Sequence, residues 1–162
     1  MEQLIRLDVN ADVYEVAVQP YETLLQVLRE RLGLMGTKRA CDTGGCGCCT
    51  VLVNGKAMYS CMLFALSAQN KKITTVEGLI ERGKLDPLQE AFIAAGAVQC
   101  GYCTCGMIMA AKELLAAGKS PTEQEIRQAI AGNLCRCTGY HKIVDAIKMA
   151  SASPGAVAKA RG

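Results

Sequence analysis

The stretch Cys41-Asp42-Thr43-Gly44-Gly45-Cys46-Gly47-Cys48-Cys49 decides how this chain is read. Cys41-x4-Cys46-x2-Cys49, followed by Cys61 after a further eleven residues, has the spacing of a loop that wraps a two-iron cluster of the plant ferredoxin type. Three ligands must come from one tight loop, and its backbone N–H groups must point inward at an anionic cluster. That demands a close approach of the chain, and Gly44, Gly45 and Gly47 carry no side chain to obstruct it. A zinc knuckle would use paired C-x2-C units, and only one is present here. Cys48 offers a second candidate for the third ligand. The plant-type spacing selects Cys49 and leaves Cys48 as a spare, small buried thiol, with a redox role as the lesser reading.

A second quartet follows: Cys100-Gly101-Tyr102-Cys103 and Cys135-Arg136-Cys137. Each pair precedes a predicted helix, one from Thr104 and one from Tyr140. The positive end of a helix favours thiolates and an anionic cluster. Two such helices side by side would present four sulfurs with approximate two-fold symmetry. The pattern is not that of a ferredoxin loop, and a four-cysteine zinc site is its rival, although C-x-C is an unusual half for one. Cys105 is a second spare cysteine, read as structural. Arg136 either offsets negative charge on reduction or is simply solvated. His141, the single histidine, reads as a helix-start residue, since neither quartet lacks a member.

The remaining sequence fits an electron-carrying role and argues against others. Net charge is +3, too slight for nucleic acid or an anionic membrane, and no basic stripe with interleaved aromatics occurs. The start, Met1-Glu2-Gln3, does not read as a signal peptide, and no apolar run approaches a membrane span. A cytoplasmic location is expected, where ten cysteines serve as ligands rather than disulfides. With five tyrosines, two phenylalanines and no tryptophan, the core must be aliphatic. Two small lobes of that kind would be marginal alone, so metal ligation is expected to contribute to folding.

Alternation over Ile5 to Val9 and Val13 to Val18 about a turn at Asn10-Ala11-Asp12 predicts a β-hairpin. Apolar residues at 24, 25, 28 and 32 predict a helix over Thr23 to Leu32, stopped by Gly33. Thr50 to Val53 and Ala57 to Tyr59 about Asn54-Gly55 predict a second hairpin, and Ile73 to Val76 a last strand. Helices are expected over Pro87 to Ala95, Thr104 to Ala117, a third through Ala131 opened by Ser120-Pro121-Thr122-Glu123, and Tyr140 to Ala150. The fold class is therefore α+β. Residues 1–77 form a ferredoxin-like [2Fe-2S] domain, 78–150 a helical [2Fe-2S]-binding domain, and 151–162 a C-terminal tail, with Gly78 to Asp86 as the linker.

These motifs resemble a known family. Gly36-Thr37-Lys38 through Cys41, Gly44, Cys46, Gly47, Cys49 and Thr50 is similar to the N-terminal iron–sulfur segment of the molybdenum hydroxylases, the xanthine dehydrogenase family. GAVQCGYCTCGMIM (Gly96 to Met109) and AGNLCRCTGYHKIV (Ala131 to Val144) resemble its second signature. The likeness runs from about residue 3 to 150. It implies a β-grasp lobe followed by a four-helix lobe. It also implies iron ligation by Cys41, Cys46, Cys49, Cys61, Cys100, Cys103, Cys135 and Cys137, with the second quartet nearer a molybdopterin cofactor. Gln99 and Cys137 would lie beside that cofactor. The resemblance further implies a large molybdopterin-binding subunit, a medium flavin-binding subunit carrying FAD, and a dimer of heterotrimers. Cysteine at 48 and 105 departs from the family pattern, which has a small non-cysteine residue and proline there.

The resulting reading is an electron-transfer small subunit of a molybdenum-dependent oxidoreductase, relaying single electrons between molybdopterin and flavin, with the substrate site in a partner. A free-standing two-cluster ferredoxin-type carrier is the alternative. Such carriers are usually acidic, and this chain has an entire second lobe to accommodate.

Overall fold

The computed structural model describes residues 1–118 and 120–152. The N-terminal alternation forms β1 (Gln3–Val9) and β2 (Asp12–Val18), paired antiparallel from Gln3↔Val18 to Val9↔Asp12. Ile5, Leu7 and Val9 are buried on one face of β1. The second hairpin joins β3 (Thr50–Val53) to β4 (Lys56–Tyr59), and Asn54 (φ 50°) and Gly55 (φ 77°) supply the left-handed pair that a tight turn requires. β5 (Lys72–Thr74) lies between β1 and β3, parallel to the first and antiparallel to the second. The order β2-β1-β5-β3-β4 is a β-grasp sheet.

β5 ends earlier than the alternation predicts, at Thr74 instead of Val76. Thr75 is drawn out of the ladder because its N–H donates to Asn10 Oδ1 at 2.9 Å and its hydroxyl to Glu77 at 2.6 Å. Val76–Leu79 then winds into a short 3₁₀ turn.

The helix expected over Thr23 to Leu32 opens with a capping box, Thr23 with Gln26, and runs as α1 (Leu24–Gln26). It continues over Val27–Arg31 with wider turns, the Leu32 N–H reaching the Val27 carbonyl at 3.1 Å. Leu24, Val27 and Leu28 close the apolar face of the sheet.

The helical lobe comprises α2 (Pro87–Ala94), α3 (Thr104–Ala116), α4 (Glu123–Ala129) and α5 (His141–Ser151). Leu88, Phe92, Met107, Leu115, Ile126 and Ile147 are buried together at its centre. Ser151, expected to open the tail, belongs instead to α5, and the tail from 153 lies outside the described residues.

Two helix starts differ from expectation. The box of α4 is Thr122 with Glu125, two residues on from Ser120 and Glu123. The shift frees Glu123 to pair with Arg127 one turn later and with Lys148 of α5. α4 also stops short of Ala131, with Ile130 as its C-cap. α5 begins at His141, because Tyr140 stands in the left-handed region at φ 69°. Cys135 and Cys137 therefore sit in a turn before the helix, whereas Cys103 is the N-cap of α3. Inside the lobe, Asp86 caps α2 and also takes the Lys112 ammonium of α3 at 2.6 Å, both side chains being buried.

Candidate metal centres

The loop 41–49 folds back so that its sulfurs meet in pairs. Cys41 lies beside Cys46, and Cys49 beside Cys61. Cys49 leads straight into β3, and Cys61 follows β4 in a short 3₁₀ turn, so the hairpin itself brings them together. Leu25 and Tyr59 pack against this second pair. Cys48 joins the apolar core of the helical lobe while its thiol stays beside Cys46, and burial pushes it up to about 12.

The second quartet also pairs: Cys103 with Cys135, and Cys100 with Cys137, whose sulfurs are 3.6 Å apart. Two thiolates on one tetrahedral metal, each at about 2.3 Å, stand roughly that far from one another. Among the described residues no three His, Cys, Asp or Glu side chains converge to hold a single ion. Two pairs in each quartet match two irons with two thiolates apiece.

Donors surround the sulfurs. The Thr43 N–H points at Cys41 Sγ (3.5 Å) and the Thr138 N–H at Cys135 Sγ (3.4 Å), with the Thr138 hydroxyl 3.0 Å from the same sulfur. Thr43 and its neighbours bring the Cys41 thiol down to about 6. Burial acts the other way at Cys61 and Cys103, holding each up at about 12 beside a partner thiol. Burial also raises Cys135, but the Thr138 hydroxyl and amide outweigh it and leave that thiol below its ordinary value. Thiols, inward N–H groups and a glycine loop together fit an anionic iron–sulfur cluster in each lobe.

The two sites share a boundary. The Leu134 N–H donates to the Cys46 carbonyl at 2.9 Å, one residue before Cys135. The Gly47 and Gly106 backbones touch so closely that a Cβ on Gly106 would run into the Gly47 carbonyl, and one on Gly47 would stand 2.5 Å from the Gly132 carbonyl. Cys105 tightens the same seam, its thiol donating to the Cys48 carbonyl at 3.4 Å. The Tyr102 hydroxyl bonds the Arg39 carbonyl across the two lobes.

Gln99 and its neighbour Cys100 are exposed, as is Cys137, so these residues form one surface. Val98, Tyr102 and Leu134 add exposed apolar area around it. Arg136 and His141 are exposed, and His141 joins neither quartet. Thr43, Thr138, Asn133 and Tyr140 contact the cysteine loops without having been singled out from sequence. Only Thr138, within the tight C-x-C-x turn, carried a local cue.

These sites define a protein that binds two [2Fe-2S] clusters, one in each lobe. Family models agree: a "2Fe-2S iron-sulfur cluster binding domain" matches residues 7–75 and a "[2Fe-2S] binding domain" residues 75–148. The nicotinate dehydrogenase small FeS subunit of Eubacterium barkeri is 47% identical over 146 residues, covering 90% of this chain and 93% of that one. The xanthine dehydrogenase iron-sulfur-binding subunit of Escherichia coli O157:H7 is 45% identical over 145 residues, covering 88% and 91%. Quinoline 2-oxidoreductase from Pseudomonas putida 86 superposes with a TM-score of 0.91 at 42% identity, covering 99% of this chain and 96% of that chain. The chain belongs to the iron–sulfur small subunits of the molybdenum hydroxylase family. It is an electron-transfer subunit of a multi-subunit oxidoreductase, in a family whose partner subunits carry molybdopterin and FAD. Among the described residues no helix is long and apolar enough to cross a membrane.

Proposed function

We propose that Cys41, Cys46, Cys49 and Cys61 hold the first cluster, and Cys100, Cys103, Cys135 and Cys137 the second. Bound there, each cluster supplies a centre that takes up and gives up one electron at a time. The exposed surface of Gln99, Cys100 and Cys137 faces the molybdopterin of a large partner subunit. The loop from Cys41 faces a medium, flavin-binding subunit, and two such heterotrimers pair in the cytoplasm. The domain division is 1–77 and 78–150.

The observation that carries the relay between the two clusters is the seam. Leu134 and Cys46 are joined by one backbone hydrogen bond, so a single contact spans from one cysteine loop to the other. The residues of the chain ligate, donate N–H groups to sulfur and exclude water; these set the potentials. Val98, Tyr102 and Leu134, exposed around the second pair, supply apolar area for the partner.

Purification of the native complex, followed by native mass measurement and iron and sulfide assay, tests the reading. A large and a medium chain bound to this one, about four irons in this chain and two distinct paramagnetic signals on reduction are expected. A stable monomer in cell extract would establish the free-standing carrier instead, and stoichiometric zinc would end both readings.

A further inference from the structure

Asn133 lies just before the second cysteine pair and is 3% exposed. Its Nδ2 donates across the seam to the Gly47 carbonyl at 2.8 Å and contacts Thr50 Oγ1 at 3.2 Å. Chemistry fixes the orientation of this amide. A carbonyl only accepts, and the Thr50 hydroxyl already directs its proton to the same Gly47 oxygen at 2.6 Å. The NH₂ end must therefore face Gly47. On the other side, the Asn133 backbone carbonyl accepts from the Tyr140 hydroxyl at 3.3 Å, and that hydroxyl accepts the Cys135 N–H at 2.9 Å. Tyr140 is held at φ 69°, an unfavourable backbone for a tyrosine, which the surrounding bonds over-determine.

Consecutive carbonyls of the first loop, Cys46 and Gly47, are thus gripped by consecutive residues of the second, Leu134 and Asn133. Through Tyr140 the grip reaches the backbone of Cys135 itself. The Gly47 carbonyl does not depend on the Asn133 bond. The Gly47 carbonyl still receives the Thr50 N–H at 3.1 Å and the Thr50 hydroxyl, so it is not orphaned when Asn133 is removed.

We infer that Asn133, with Tyr140 behind it, is a positioning residue that sets the separation and hydrogen-bond path between the two cluster sites. The inference rests on the relay reading above and deepens it.

The test is the magnetic interaction between the two reduced clusters in the native complex. Asn133→Ala is expected to keep about four irons and both signals, and to narrow or abolish the spin–spin splitting, which falls steeply with separation. Lys112→Met is the control: it breaks the pair with Asp86 inside the helical lobe, touches none of the Asn133 and Tyr140 hydrogen bonds, and is expected to leave the splitting unchanged. An unaltered splitting in loaded Asn133→Ala overturns the inference. Should that variant fail to load, Tyr140→Phe decides by the same measurement, and an unaltered splitting there overturns it equally. Loss of clusters from both variants would make the network a folding element only and also overturn it. Failure of the relay reading is separate, since it would show as missing signals in the unmodified complex.

Discussion

Cys48 and Cys49 are neighbours in the chain, yet the turn before β3 sends one thiol into the helical core and the other to Cys61. The spacing rule prefers Cys49, but it has no access to direction; that comes from the strand that follows. Cys49→Ser is expected to lose or severely alter the first cluster, while Cys48→Ser leaves it intact, as read by iron content and paramagnetic resonance. The reverse result would reassign the loop. Protonation adds a second expectation. Burial keeps Cys61 and Cys103 at about 12, so in the metal-free chain both hold their protons at neutral pH and must release them to bind iron. Iron uptake by the metal-free chain should therefore release protons and strengthen as pH rises from about 6 to about 9. A titration in weak buffer with a proton-sensitive dye checks this, and pH-independent uptake would contradict it. For the same two groups the metal-free fold is stabilised below the ordinary thiol value, and that stability is lost as pH rises from there through about 12.

At the scale of elements, periodicity and turn chemistry made both hairpins and all four helices of the second lobe legible. They misplaced ends where a side chain outcompetes the backbone. Thr75 leaves its strand for Asn10 and Glu77. Thr122 takes the cap from Ser120, because two boxes overlap and only one lets Glu123 reach Arg127 and Lys148. Thr122→Ala should cost about 1 kcal/mol in denaturant unfolding. The buried pair Asp86–Lys112 ties the cap of α2 to the middle of α3, and nothing local in the sequence links the two positions. Lys112→Met leaves a buried carboxylate without its cation and should cost about 3–5 kcal/mol. Restoring the balance with Asp86→Asn in the same chain should recover part of that loss, and no recovery would argue against the pairing.

For the molecule as a whole, each cluster site is written into local spacing, whereas the docking of one lobe on the other is not. The contacts that make the seam join residues far apart in sequence, such as Gly47 with Asn133 and Gly106, and no periodicity announces them. Gly106→Ala should force the lobes apart at a cost of about 1–3 kcal/mol, and faster proteolytic cleavage between the lobes would reveal it. The two sites also differ in how open they stand, which bears on loading. Cys100 and Cys137 are exposed, Cys41 and Cys46 are half-buried, and Cys49, Cys61 and Cys103 are buried. A folded, metal-free chain therefore offers two open thiols at the second site and none at the first. Iron and sulfide supplied to the folded, metal-free chain should enter the second site first.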